Sequence, residues 1–170
     1  MKKSALFILL LWVASLASAQ KFALIDTEYI MKHIPAAESA NKQMQDATEK
    51  YQSEVEALAK EAQKMFQDYQ AKSKTLSAAQ KTQREDAIVA KEKAAAELRR
   101  KYFGPEGELA KLRDRLFTPI QNDVYEAVKA VSQQHGYDMI VDRATASGLI
   151  FAHPRIDISD EILRKLGFSN

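Results

Sequence analysis

The stretch AAESANKQMQDATEKYQSEVEALAKEAQKMFQDYQAKSKTLSAAQKTQREDAIVAKEKAAAELRRKYF, residues 36–103, runs for 68 residues between Pro35 and Gly104 without a glycine or a proline. Ala, Lys, Glu and Gln dominate it, and residues of that kind favour helix over every other state. Unbroken, such a helix would extend roughly 100 Å at about 1.5 Å per residue. A compact domain of 170 residues has no such diameter, so the segment must fold back on itself or leave the globular body.

Apolar residues step by three and four along it, through Ala37, Ala40, Met44, Ala47, Tyr51, Val55, Leu58, Ala62, Met65 and Tyr69. One extra step of four near Tyr51 makes this a coiled-coil seam with a single stutter. Four of the ten members are alanine, so the helices it joins approach closely and touch lightly. The pattern loosens at residues 72–77, and Ser77 followed by Gln80 forms a capping box that starts a new helix. The tip of a helical hairpin is expected near 73–77. The return repeats the seam through Ile88, Ala95, Leu98, Tyr102, Leu109, Leu112, Leu116, Ile120, Val124, Ala127 and Val131. Antiparallel folding about the tip brings Glu49, Glu54 and Glu56 to the level of Arg99, Arg100 and Lys101. Two weak points interrupt the return. Pro119 removes a helical hydrogen bond, and GPEG at 104–107 is either a kink or a short break.

Outside the hairpin, FALI at 22–25 reads as a buried strand, residues 27–33 as a helical turn or two, and Pro35 as the first residue of the long helix. Gly136 closes the returning helix. Residues 137–141 and 149–152 then read as the two strands of one β-hairpin, and a last short helix spans 160–166 before Gly167. Three short strands with so little helix make a small core, so oligomerisation is expected to complete it and to close the open strand edges.

The N-terminal 19 residues read as a signal peptide. Lys2 and Lys3 precede an apolar core at 5–14, and Ala17, Ser18 and Ala19 form a cleavage pattern. About ten apolar residues are too few to span a bilayer, which needs roughly 20. The leader carries two of the 25 basic residues, so the remainder balances its 23 acidic ones. Bulk charge therefore gives no support to nucleic-acid binding. The chain has no cysteine, hence no disulfide, thiolate chemistry or lipid-bearing cysteine.

FALID at 22–26, YFGPEGEL at 102–109, PIQ at 119–121, GYD at 136–138 and DISDEI at 157–162, set around a long helical excursion, resemble the Skp/OmpH family of periplasmic chaperones. That resemblance covers essentially the whole chain after the leader. It implies an α+β fold, mostly α, with a small β-strand body that becomes a barrel on trimerisation and a long antiparallel helical-hairpin tentacle. The expected division is a body at 20–35 and 118–170 and a tentacle at 36–117. It also implies an ATP-independent periplasmic holdase, with unfolded outer-membrane proteins and further copies of itself as partners. Better-known members are strongly basic, whereas this chain is neutral once the leader is set aside, so no lipopolysaccharide site is carried over.

Candidate client contacts are Met44 and Phe66, flexible apolar side chains on the outgoing limb, together with Lys72, Lys74, Lys81 and Arg84. Met65 and Tyr69 either share this role or fill the seam. Residues 70–84 hold those four cations and no acid. They suit acidic client segments or a weak contact with an anionic membrane surface, or they are simply a solvated helix end. The candidate oligomer core is Phe22, Leu24, Met139, Val141, Leu149 and Phe151. His33, His135 and His153 lack metal-ligand spacing. Asp138 and Asp142 are either a carboxylate pair or a hydrogen-bonded strand face. No cofactor is called for. A coiled-coil tether docking onto another envelope protein, and a hydrolase with an unrecognised site, are the alternatives. A tether predicts an apolar tip, yet Leu76 is the only large apolar residue between Ala71 and Ile88.

Overall fold

The computed structural model describes residues 20–168, and the expected signal peptide lies outside them. Along the chain run β1 (Phe22–Ile25), α1 (Thr27–Lys32), α2 (Pro35–Lys72), α3 (Ala78–Phe103), α4 (Glu108–His135), β2 (Met139–Asp142), a 3-10 turn (Pro154–Ile156) and α5 (Ser159–Lys165). They divide between two compact units, one holding the chain up to Ile34 and from Asp123 onward, the other Pro35–Asn122. The protein is thus mostly helical, with a small strand pair and a long helical hairpin.

In the first unit β1 and β2 pair in parallel, Phe22 beside Met139, Ala23 beside Ile140, Leu24 beside Val141 and Ile25 beside Asp142. Parallel pairing needs a long crossover, and here everything between the two strands supplies it. On its other edge Leu24 bridges to Asp157, and its carbonyl accepts the Ile158 N–H at 2.8 Å. Asp26 ends β1 and starts α1, its carboxylate accepting the Tyr29 N–H at 2.9 Å, a standard N-cap. Helix α1 packs on α5, and Ile30 and Ile162 are both completely buried. Ser159 is the one buried polar residue among those described. Its hydroxyl accepts the Asp26 N–H at 2.8 Å and donates to Asp157 Oδ1 at 2.6 Å, so nothing in it is left unsatisfied.

The expected strand at 149–152 does not form. After β2 the chain turns at once: Asp142 accepts the Ala146 N–H at 3.0 Å, and Ala146 accepts the Leu149 N–H at 3.0 Å. Among the described residues no strand follows this turn, and Ile150 and Phe151 stand 100% and 78% exposed. A short apolar run encodes strand propensity but not a strand partner, and one copy of the chain supplies none here.

In the second unit α2 and α3 pack along each other as the hairpin. Ser77 caps α3 with the full reciprocal box to Gln80, and residues 73–77 make the turn. Every outgoing seam residue is buried or half-buried. The fully buried members are small on this limb, Ala37, Ala40 and Ala62, and on α3 the buried members are Ile88 and Ala95. Register shows in three cross-limb pairs, which descend on one limb as they rise on the other. The Tyr69 hydroxyl donates to Glu85, Lys91 Nζ meets Glu61 at 3.0 Å, and the Tyr102 hydroxyl donates to Glu54. The level read from charge is right, but the expected ion pairs are absent among the described residues. Glu49 accepts from Gln45, Glu54 from Tyr102, and Glu56 from Gln52.

GPEG is a break, not a kink: α3 stops at Phe103 and α4 begins at Glu108. The Gly104 N–H donates to Arg100 O at 2.9 Å and the Gly107 N–H to Gly104 O at 2.9 Å. Gly107 is buried, and a Cβ there would lie 2.7 Å from the Tyr102 carbonyl oxygen. Pro119 stays inside α4. Gly136 ends that helix at φ +65°, the left-handed conformation that suits glycine.

Candidate functional site

The helical geometry of the hairpin decides what its flanks display. Seam residues face the other limb, so the residue after each one turns about 100° away from it. Within residues 35–122, four of those following positions carry large apolar side chains: Phe66 after Met65, Val89 after Ile88, Phe103 after Tyr102 and Phe117 after Leu116. Phe66, Val89 and Phe103 are 45%, 60% and 41% exposed, and Phe117 is half-buried. Burial therefore leaves a second apolar stripe outside the seam.

Near the base of the hairpin this stripe opens into a groove of about 600 Å³, lined among others by Asn41, Met44, Arg113, Phe117 and Gln121. A volume of that order takes several side chains of a ligand. Met44, half-buried, forms part of its wall. Phe66 is exposed on the same limb. Met65 and Tyr69 are half-buried in the seam.

The four cations do not form one cluster. Lys72 and Lys74 are exposed, whereas Lys81 and Arg84 are half-buried and extend the seam to the tip in steps of three and four. Their aliphatic stems cover apolar surface while the charges reach water. Leu76 is half-buried, so it presents little apolar surface at the turn.

The body residues fall into two groups. Leu24 is buried and Val141 half-buried within the single chain. Phe22 and Met139, register partners, are 46% and 54% exposed, as are Leu149 at 36% and Phe151 at 78%.

The titratable groups near the strands serve the fold. Arg143 Nη2 donates to Asp26 at 2.7 Å and holds its carboxyl below the usual carboxylate range, with the Tyr29 N–H helping. Burial pushes the Asp142 carboxyl up, but hydrogen bonds from the Thr27 hydroxyl and N–H, the Ala144 N–H and Thr145 outweigh it and leave the group lowered. Asp138 accepts the Lys21 N–H at 2.9 Å. His33 Nδ1 lies 2.8 Å from the Tyr29 carbonyl, His135 Nε2 lies 2.7 Å from Glu161, and His153 Nδ1 accepts the Arg155 N–H. Asp138 and Asp142 thus act as a hydrogen-bonded strand margin.

Sequence reading named Phe66 as an apolar side chain beside the seam and did not name Val89, Phe103, Phe117 and Ile150. The signal for the first three was present. Each follows a seam residue directly, as Phe66 does.

The family model for OmpH, outer membrane protein (OmpH-like), matches residues 21–166. The chaperone protein Skp of Yersinia enterocolitica is 24% identical over 156 residues, spanning 91% of this chain and 92% of that protein. The chaperone protein Skp of Pectobacterium atrosepticum is 24% identical over 153 residues, spanning 90% and 89%. Among solved structures, that of an OmpH-like protein from Caulobacter crescentus CB15 aligns with a TM-score of 0.66 at 12% identity, covering 88% of this chain and 85% of that one. At that identity the likeness is one of fold.

Proposed function

The chain belongs to the Skp/OmpH family of OmpH-like outer membrane proteins, and from that premise we propose that it is an ATP-independent holdase chaperone of the periplasm. It binds unfolded outer-membrane proteins and prevents their aggregation. It is not an enzyme. The two relatives at 24% identity are chaperones by name. The observation that carries the proposal is the stripe of exposed Phe66, Val89 and Phe103 along a hairpin whose seam is closed by alanine. A holder of many sequences needs adaptable apolar surface that no tight interface consumes. Tip docking by a tether would need apolar surface that the half-buried Leu76 does not supply.

In this proposal residues 1–19 are a leader that directs export, residues 20–35 and 118–170 form the oligomerising body, and residues 36–117 form the tentacle. Three copies close a barrel around the strands. Phe22, Met139, Leu149 and Phe151 are the side chains it covers, which accounts for so much apolar surface on one copy. Leu24 and Val141 support them from inside. Met44 and Phe66 contact clients, and Lys72, Lys74, Lys81 and Arg84 add weak attraction to acidic segments. An anionic membrane surface is a further weak partner for Lys72 and Lys74.

Light scattering tests this directly. A urea-unfolded outer-membrane β-barrel protein is diluted into buffer with the leaderless chain. Suppressed aggregation without ATP, near one oligomer per client, supports the holdase, and no suppression at several-fold excess overturns it.

A further inference from the structure

The two flanks of the hairpin differ in chemistry, and the difference assigns one of them a ligand. On antiparallel right-handed helices, a step of one residue past the seam turns both limbs toward the same side of the hairpin. A step of one residue before the seam turns both toward the opposite side. The groove bears this out, because Asn41, Arg113, Phe117 and Gln121 each follow a seam residue, on two different limbs, and line one concavity.

The flank before the seam is ionic. It carries Asp46, Lys50, Glu61, Lys64, Lys101 and Lys111, among other charges, and none of the large apolar residues. The flank after the seam carries Phe66, Val89, Phe103 and Phe117, interleaved with Asn41, Gln45, Gln52, Gln63, Gln70 and Gln121, and with fewer charges, Glu38, Glu56, Arg99 and Arg113. Carboxamides on the ionic flank are fewer: Gln43, and Gln80 and Gln83 at the tip before Lys81 and Arg84. The side chains of Asn41, Gln63, Gln70 and Gln121 make no hydrogen bond among the described residues. Gln45 and Gln52 donate to Glu49 and Glu56 and keep their carbonyl oxygens free.

We propose that the carboxamide and aromatic flank is where an extended, unfolded polypeptide lies, with the groove at Met44 and Phe117 seating one of its apolar side chains. This rests on the holdase reading and specifies its site. A carboxamide offers both a donor and an acceptor. An unpaired peptide backbone offers the same two, whatever its sequence. Charged side chains offer only one kind and carry a larger desolvation cost. Alternating apolar side chains, as in strands of an outer-membrane barrel, then meet the spaced aromatic residues while the backbone meets the amides. The ionic flank remains in water.

Photocrosslinking tests the assignment. Benzoylphenylalanine is placed singly at Gln63 or Gln121, on the carboxamide flank, and at Lys64 or Lys111, on the ionic one, and an unfolded β-barrel protein is added. Adducts with the client from Gln63 and Gln121, at least several-fold above those from Lys64 and Lys111, are expected. Equal yields from both flanks, or adducts between copies of the chain in place of client adducts, overturn the proposal. In parallel, Phe66→Ser with Phe103→Ser is expected to weaken client affinity about tenfold, and Lys64→Ser with Lys111→Ser to leave it unchanged. Both pairs change exposed side chains, and circular dichroism checks their fold. The scattering assay separates the two levels. Suppressed aggregation with even crosslinking removes the site but not the holdase, whereas unsuppressed aggregation removes the holdase itself.

Discussion

The ring of Tyr51 lies on that of Tyr102, centroids 4.0 Å apart and planes 8° from parallel, and the Tyr102 hydroxyl donates to Glu54 one turn along the outgoing helix. A second tyrosine, Tyr69, makes the same kind of bond to Glu85 nearer the tip. These two clasps join the limbs across the seam. The hydrogen bond to Glu54 holds the Tyr102 phenol above its ordinary value of 10.0, and the bond to Glu85 does the same for Tyr69. Each clasp is fully present below pH 10 and is lost as the pH rises through the folded-state value. Hairpin stability is therefore expected to fall above pH 10. Urea midpoints measured across the alkaline range should show this, and Tyr69→Phe with Tyr102→Phe should flatten it. At neutral pH Tyr102→Ala should lower the midpoint more than Tyr102→Phe, because it also removes the stack.

Asp26 governs the acid side. Its carboxyl, held low by Arg143, contributes stability that is present above the ordinary carboxylate value of 3.8 and is lost as the pH falls toward the folded-state value. Asp142 is shifted in the same direction. The first unit should keep its stability down to about pH 4 and weaken below it. Asp26→Asn keeps the cap, since asparagine caps as well as aspartate, but loses the charge pair with Arg143. A flatter acid limb in that variant is the expected result, and an unchanged one would remove Asp26 from the account.

Ile162 is completely buried where α5 packs on α1. Ile162→Ala should cost about 2–5 kcal/mol through lost burial and a residual cavity. Denaturant unfolding measures it, and a loss below about 0.5 kcal/mol would mean that the site collapses freely.

Gly107 sits against the Tyr102 carbonyl and the Gly104 backbone. Gly107→Ala must displace backbone atoms and should destabilise the hairpin by about 1–3 kcal/mol. Ser77→Ala, which removes a cap on an exposed turn, should cost about 0.5–2 kcal/mol. Thermal unfolding followed by circular dichroism ranks the two, and a Gly107→Ala chain as stable as the parent would show that the turn is free to open.

Much of the hairpin could be read in advance because its information is local. Helix formers, the three-and-four spacing and the Ser77–Gln80 box each report on neighbours within a few residues. The partner of β1 could not be read that way. Leu24 and Val141 are apolar in any pairing, and nothing in either run states that the strands are parallel. Residues 149–152 show the same limit, since their apolar character says that they want cover without saying whose. Lys81 and Arg84 escaped notice as seam members because charge hides the aliphatic stem. The carboxamide flank was legible only after the seam register was fixed, because its residues have meaning only as neighbours of Met65, Ile88, Tyr102 and Leu116.

The parallel pair of strands also dictates an order of assembly. Asp26 and Arg143, at the end of that pair, are 117 positions apart, whereas the hairpin closes around a turn of a few residues. Local contacts form early, and distant ones must wait for loop closure. During synthesis β1 emerges first and finds its neighbour last, after the entire hairpin has been made. A chain interrupted before residue 139 therefore carries a finished hairpin and an orphaned apolar strand. Such a fragment is a target for proteases and a seed for aggregation, so the sheet acts as the completeness check on the molecule.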